Sequence, residues 1–281
     1  MPEGAPTGSM QGGHFQQTAT LLTSGKVLVA GGGTANAELF DPATKTFSQT
    51  GSMEASRTYH TATLLNNGKV LIVGGSDGNG NPVATAQLFD PATGSFASTG
   101  DMISARYGRT ATLLNNGKVL VTGGTGASGN SLATAELYDP TSGTFFATGG
   151  MIASQYAHTA TLLGNGLVLL TGGFDARGHT QATAELFDPA SESFSSTGNM
   201  SIGRAFHTAT LLANGNVLLT GGSFGPPSQP LALAELFDVS SGTFSFTGSM
   251  TTARSQHTST LLGNGQVLVT GGNLATAELY H

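Results

Sequence analysis

The chain has 281 residues and a net charge of −6, with 38% apolar and only 9% charged residues. The acidic balance argues against a surface that displaces counterions from nucleic-acid phosphates. The absence of cysteine excludes disulfides, thiolate metal sites and cysteine nucleophiles. No apolar run approaches the ~18 residues of a membrane span. The opening MPEGAPTGSM lacks the basic and apolar regions of a signal peptide. The expectation is a chain without membrane insertion, either cytoplasmic or cut from a larger extracellular or cell-surface protein of bacterial type.

Self-comparison organises the rest. The pentad TATLL, TSTLL in its last copy, begins at Thr18, Thr61, Thr110, Thr159, Thr208 and Thr258. A period near 50 without helical patterning predicts propeller blades. In the second copy, His60 to Leu65 reads as strand A, and Asn66-Asn67-Gly68 as a tight turn, since Asn and Gly tolerate positive φ. Lys69 to Gly75 reads as strand B, ending in a glycine pair. After the loop SDGNGNPV comes strand C, ATAQLFD, then the turn Asp90-Pro91-Ala92-Thr93-Gly94 and strand D around Phe96. Units begin near residues 14, 57, 106, 155, 204 and 254, and together they predict one propeller domain over residues 1–281. The last unit ends at ATAELYH without a strand D, while Pro6 to Met10 matches Gln49 to Met53. The N-terminal segment, residues 1–10, is therefore expected to complete the sixth blade, with Gly4 where the other blades carry phenylalanine.

The GG doublet closing strand B, the aromatic ending strand C and the aromatic opening strand D resemble kelch repeats. They are similar to those in the propeller of galactose oxidase-like proteins. The resemblance implies an all-β, six-bladed kelch-type β-propeller with four antiparallel strands per blade, closed by the N-terminal strand joining the last blade. One departure is Phe47, Phe96, Phe145, Phe194 and Phe244 where such repeats commonly carry tryptophan. The resemblance also implies that A–B and C–D turns share one face while B–C and D–A loops share the other. The B–C loops vary most, which marks that face as functional.

All six arginines map to the variable face, and the lysines to the other. Arginine suits bidentate capture of carboxylates. The expected ligand contacts are Arg57, Tyr59, Arg106, Tyr107, Arg109, Tyr156, Arg177, Arg204, Phe206 and Arg254. The leading expectation is a non-catalytic module, more binding protein than enzyme, monomeric and without a cofactor, that takes an anionic glycan or acidic peptide. A framework role for Arg57, Arg106, Arg204 and Arg254 stays open, with carbonyls as partners. Gln87 precedes Arg106 and Glu136 precedes Gln155, so pairing each Glu with the next Arg is not expected to hold.

Gln17, His60, Arg109, His158, His207 and His257 occupy equivalent positions. A residue that follows the repeat reads as framework. The alternative is a metal-binding protein or oxidase-like enzyme with Cu, Zn or Ni on His60, His158, His207 and His257 at the axis. Tyr59-His60 is similar to the copper-binding Tyr-His segment of galactose and glyoxal oxidases, which implies copper. No cysteine is present for their Tyr–Cys cross-link. A purely structural or engineered repeat domain is a further alternative.

Overall fold

The computed structural model describes residues 7–272 and 274–280. Each TATL segment forms the inner strand A of an antiparallel sheet, and the chain then runs outward as a simple meander. Blade 1 comprises residues 18–21, 27–30, 37–41 and 46–49. Blade 2 comprises 61–64, 70–73, 86–90 and 95–98, and blade 3 comprises 110–113, 119–122, 135–139 and 144–147. Blade 4 comprises 159–162, 168–171, 184–188 and 193–196, and blade 5 comprises 208–211, 217–220, 234–238 and 243–246. Blade 6 has residues 257–261, 267–271 and 277–280.

The turn residues act as their chemistry requires. Gly68 in the A–B turn has φ 81°, a conformation costly for residues with a Cβ. In the C–D turn the Asp90 carboxylate accepts the Ala92 N–H at 2.9 Å, and the other four blades with this turn repeat the contact. Ring pairs tie strand C to strand D at 4.8–4.9 Å between centroids in blades 1 to 5, as in Phe89–Phe96.

Blades bind one another through strand B, whose residues alternate between two faces. Val70 and Ile72 pack with blade 1, and Leu71 and Val73 with blade 3. A methionine plugs each junction: Met53, Met102, Met151, Met200 and Met250 are 4–6% exposed. The glycine two residues before that methionine links to the next blade's C–D turn. Gly51 N–H donates to Gly94 O at 2.7 Å, and Gly100, Gly149 and Gly198 repeat the contact.

The expected closure is corrected. Among the described residues the sixth sheet has three strands, with no N-terminal strand hydrogen-bonded to it. The described part of the N-terminal segment serves blade 1 instead: Gly8 N–H donates to Lys45 O at 2.8 Å, repeating the inter-blade link. Gly4 and its neighbours lie outside the described residues. Apolar clusters join blades 1 to 6 in succession, but among the described residues none joins blade 6 to blade 1. Among the described residues, the inner strands of blades 6 and 1 likewise lack the close side-by-side packing that successive inner strands make. Met10 is 37% exposed, Leu21 64% and Leu279 48%. Their counterparts in blades 2 to 5 are buried or partly covered. No described helix is long and apolar enough to cross a membrane.

Candidate functional site

Where each D–A loop turns into strand A, one residue takes a left-handed conformation: Gln16, Tyr59, Gly108, Ala157, Phe206 and Gln256, with φ between 52° and 65°. Such φ values are uncommon for residues other than glycine, and a surrounding structure must hold them. Part of that support is a chain of backbone bonds passing from blade to blade. Gln256 N–H donates to Phe206 O at 2.9 Å, Phe206 N–H to Ala157 O at 3.1 Å, and Ala157 N–H to Gly108 O at 3.0 Å. This collar surrounds a cavity of about 500 Å³ lined by Tyr59, His158, Phe206, His207, Gln256 and His257, together with Gln16 and Ala157.

Aromatic rings form a band at this end. Tyr59 lies 6.0 Å from Tyr107, Tyr156 lies 5.2 Å from Phe174, and Phe174 lies 5.7 Å from Phe206. Phe174 was not among the residues expected from sequence. Its signal was available, as the only aromatic directly after a GG doublet.

The arginines divide by burial. Arg57, Arg106, Arg204 and Arg254 are buried, and Nη1 of each donates to the carbonyl of the first glycine in its own blade's doublet. The distances are 3.3 Å to Gly74 and 3.0 Å to Gly123, Gly221 and Gly271. Nη2 of Arg106, Arg204 and Arg254 also donates to Glu136, Glu235 and Glu278 at 2.7, 2.6 and 3.0 Å. Arginine thus pairs with the glutamate that follows it in its own blade. Pairing of each glutamate with the next arginine, the register considered from sequence, is not the one that the fold uses. In blade 1, His14 takes the arginine's place, bonding Gly31 O at 2.5 Å and Glu38 at 3.4 Å. Arg109 is buried against Arg106 O at 2.8 Å, and burial, with Arg106 and Arg57 nearby, pushes its pKa down to about 9. Arg177 is exposed on its loop, where the Asp175 carboxylate accepts its backbone N–H.

Each axial histidine reaches back to the preceding blade. His158 Nε2 meets Thr122 Oγ1 at 2.9 Å, His207 meets Thr171 at 2.9 Å, and His257 meets Thr220 at 3.1 Å. His60 meets Thr18 at 2.8 Å. A hydroxyl can donate or accept, so it serves either neutral tautomer. Burial pushes the pKa of His60 down to about 3 and of His158 and His257 to about 4, and holds His207 well below its ordinary value. The imidazoles are therefore neutral at pH 7. This packing also explains the GG doublet: a Cβ on Gly123 would lie 2.4 Å from Gln155 O and 2.8 Å from His158 Cε1.

Neutral imidazoles are in the protonation state metals require, and the Nδ1 atoms of all four are buried without a partner. Their placement does not fit a shared ion. Each ring belongs to a different blade, and no three His, Asp or Glu side chains come together among the described residues. Nor do Tyr59 and His60 present themselves to one point, for the tyrosine is exposed and the histidine buried.

A model described as the Kelch motif matches residues 57–103. No curated protein matches the chain by sequence. Among solved structures, the chain is similar to a fungal alcohol oxidase of the AA5 family in complex with copper. Sequence identity is 20%, the TM-score is 0.79, and the match covers 95% of this chain but 60% of the oxidase. The expectation of a non-catalytic, cofactor-free recognition module is corrected to this extent: the solved structure that shares the fold is a copper-bound alcohol oxidase, not a binding module. The chain has a kelch-type, galactose-oxidase-like β-propeller fold of six blades.

Proposed function

We propose that this chain is the propeller of an oxidase-like enzyme and that the collar cavity receives a small hydroxylated substrate. The carrying observation is the match with an alcohol oxidase over 95% of the chain, and the chain spans only 60% of that oxidase's length. The cavity suits such a substrate. Tyr59 and Phe206 offer flat apolar surface to its C–H face, and the Gln16 and Gln256 side chains offer donors and acceptors to its hydroxyls. The neutral histidines keep the floor uncharged, and Tyr107, Tyr156 and Arg177 stand as outer contacts. Arg57, Arg106, Arg109, Arg204 and Arg254 act by fixing the collar. An alcohol of a glycan is within the same substrate class, and the working unit is a monomer.

Copper is the metal to test, because the alcohol oxidase that the chain resembles is in complex with copper. The axial histidines as placed do not fit it, so no step is assigned through it. Purified protein is incubated with copper, assayed for bound metal, and supplied with primary alcohols and oxygen while peroxide is measured. Peroxide release that falls at least tenfold in Tyr59→Ala together with Phe206→Ala is expected. Turnover unchanged in that double variant would remove the cavity from the reading. No peroxide, with or without stoichiometric copper, would overturn the enzyme reading itself.

A further inference from the structure

The junction between blades 2 and 3 holds a charge where the others hold a neutral ring. At the axial position that is histidine in blades 2, 4, 5 and 6, blade 3 carries Arg109, which is 7% exposed. Its Nη1 donates to Arg106 O at 2.8 Å. A guanidinium grips an anion best through two parallel N–H groups, and its Nε–Nη2 edge offers such a pair. In Arg109 that edge is nearly idle: Nε is buried without a partner, and Nη2 has only the Thr61 hydroxyl at 3.5 Å. Arg254 fills the same edge with Glu278, at 3.3 Å from Nε and 3.0 Å from Nη2. Arg106 fills it with Ser104 O and Glu136. Among the described residues no carboxylate forms an ion pair with Arg109, since Glu136 is taken by Arg106 at 2.7 Å.

The strand behind Arg109 adds to the deficit. In blades 3, 4 and 5 the strand-B residue paired with the first threonine of strand A is Thr122, Thr171 or Thr220, and its hydroxyl meets the next blade's histidine. In blade 2 that residue is Val73, paired with Thr61. It offers Arg109 no oxygen and leaves the Thr61 hydroxyl without a cross-strand acceptor. Gly74 follows without a side chain, and a Cβ there would lie 2.9 Å from Arg109 Cζ. The charges that act most on Arg109 are Arg106 and Arg57, of its own sign, and with a pKa of about 9 it stays charged at pH 7. Arg106 is balanced by Glu136, and Arg57 by Glu54 and Asp101. One buried charge is left over, and buried charges are ordinarily paired.

We propose that this junction binds one small monovalent anion of halide size, held on the Nε–Nη2 edge of Arg109 with the Thr61 hydroxyl as third donor. Three converging donors suit a spherical ion. A doubly charged oxyanion would exceed the charge to be balanced and leave oxygens unbonded beside apolar Val73.

The test uses the whole chain. Thermal unfolding is followed as sodium gluconate is exchanged for sodium chloride at constant ionic strength, and chloride NMR line broadening is measured on the same samples. Expected are a saturable rise in melting temperature with chloride, as for a ligand bound by the folded state, and broadening that bromide displaces. Arg109→His installs the side chain that four other blades carry there. It should abolish both effects, with circular dichroism confirming the fold. Thr61→Val keeps the charge and should weaken chloride binding about tenfold, the loss of one hydrogen bond to a charged group. This second variant tests the site whether or not the first one folds. A melting temperature indifferent to the exchange, broadening that persists in folded Arg109→His, or chloride affinity unchanged in Thr61→Val would overturn the proposal. None of these readouts depends on turnover of an alcohol.

Discussion

The junctions between successive blades and the junction that would link blade 6 to blade 1 are built from the same residues with different results. Leu71 of blade 2 is fully buried against blade 3, whereas Leu268, its counterpart in blade 6, is only partly covered. A Cβ on Gly31, Gly74, Gly123, Gly172 or Gly221 would lie within 2.9 Å of a neighbour, whereas one on Gly271 would meet nothing within 4 Å. Each repeat thus carries two half-interfaces, and a half-interface contributes stability only where another blade covers it.

The sharpest way to break that comparison is a pair of leucine truncations. Leu71→Ala should cost about 2–5 kcal/mol in urea unfolding, from lost burial plus the cavity left behind. Leu268→Ala should cost less than half as much. Equal losses would mean that the last junction is closed in solution. A second pair tests the glycines. Gly271→Ala should cost about 1–2 kcal/mol, the price of a left-handed alanine. Gly123→Ala must also displace Gln155 O, and its melting temperature should fall well below that of Gly271→Ala. Equal melting temperatures would remove the steric account of the doublet.

The third comparison is between His158, inside a made junction, and Gln17, its exposed counterpart in blade 1. The folded pKa of His158, about 4, lies below the unfolded value of about 6.5. The unfolded chain therefore binds more protons between these values. The ring's contribution is fully present above pH 6.5 and is lost as pH falls toward 4, by up to about 1.4 kcal/mol per pH unit. His158→Gln should flatten the slope of stability against pH in that window and leave it unchanged above pH 7. A slope identical to that of the parent chain would show the ring to be solvated.

Much of this arrangement is legible in the sequence because its causes are local. The Asn-Gly turns, the Asp caps and the strand-C to strand-D aromatic pairs each involve residues a few positions apart, repeated often enough to reveal the frame. The failures involve choices between equally spaced copies. A glutamate on strand C can face the arginine before it or the one after it, and only the path of the D–A loop decides. The match of Pro6–Met10 to Gln49–Met53 led to the expectation of a closed sixth blade, which the structure corrects; the Gly8 link to Lys45 depends on how the segment packs on blade 1, which spacing does not reveal. His14 was hidden because it does an arginine's work with different atoms. The cavity's aromatic band was legible except at Phe174, which lies in a loop of irregular length.

The left-handed collar has a consequence for how this mouth can change. Six positions share one backbone shape yet carry glutamine, tyrosine, glycine, alanine, phenylalanine and glutamine. Backbone amides and carbonyls tie four of these positions together, so no particular side chain is needed to keep the rim in form. Chemistry at the opening can therefore be rewritten one substituent at a time, with the blades beneath left as they are.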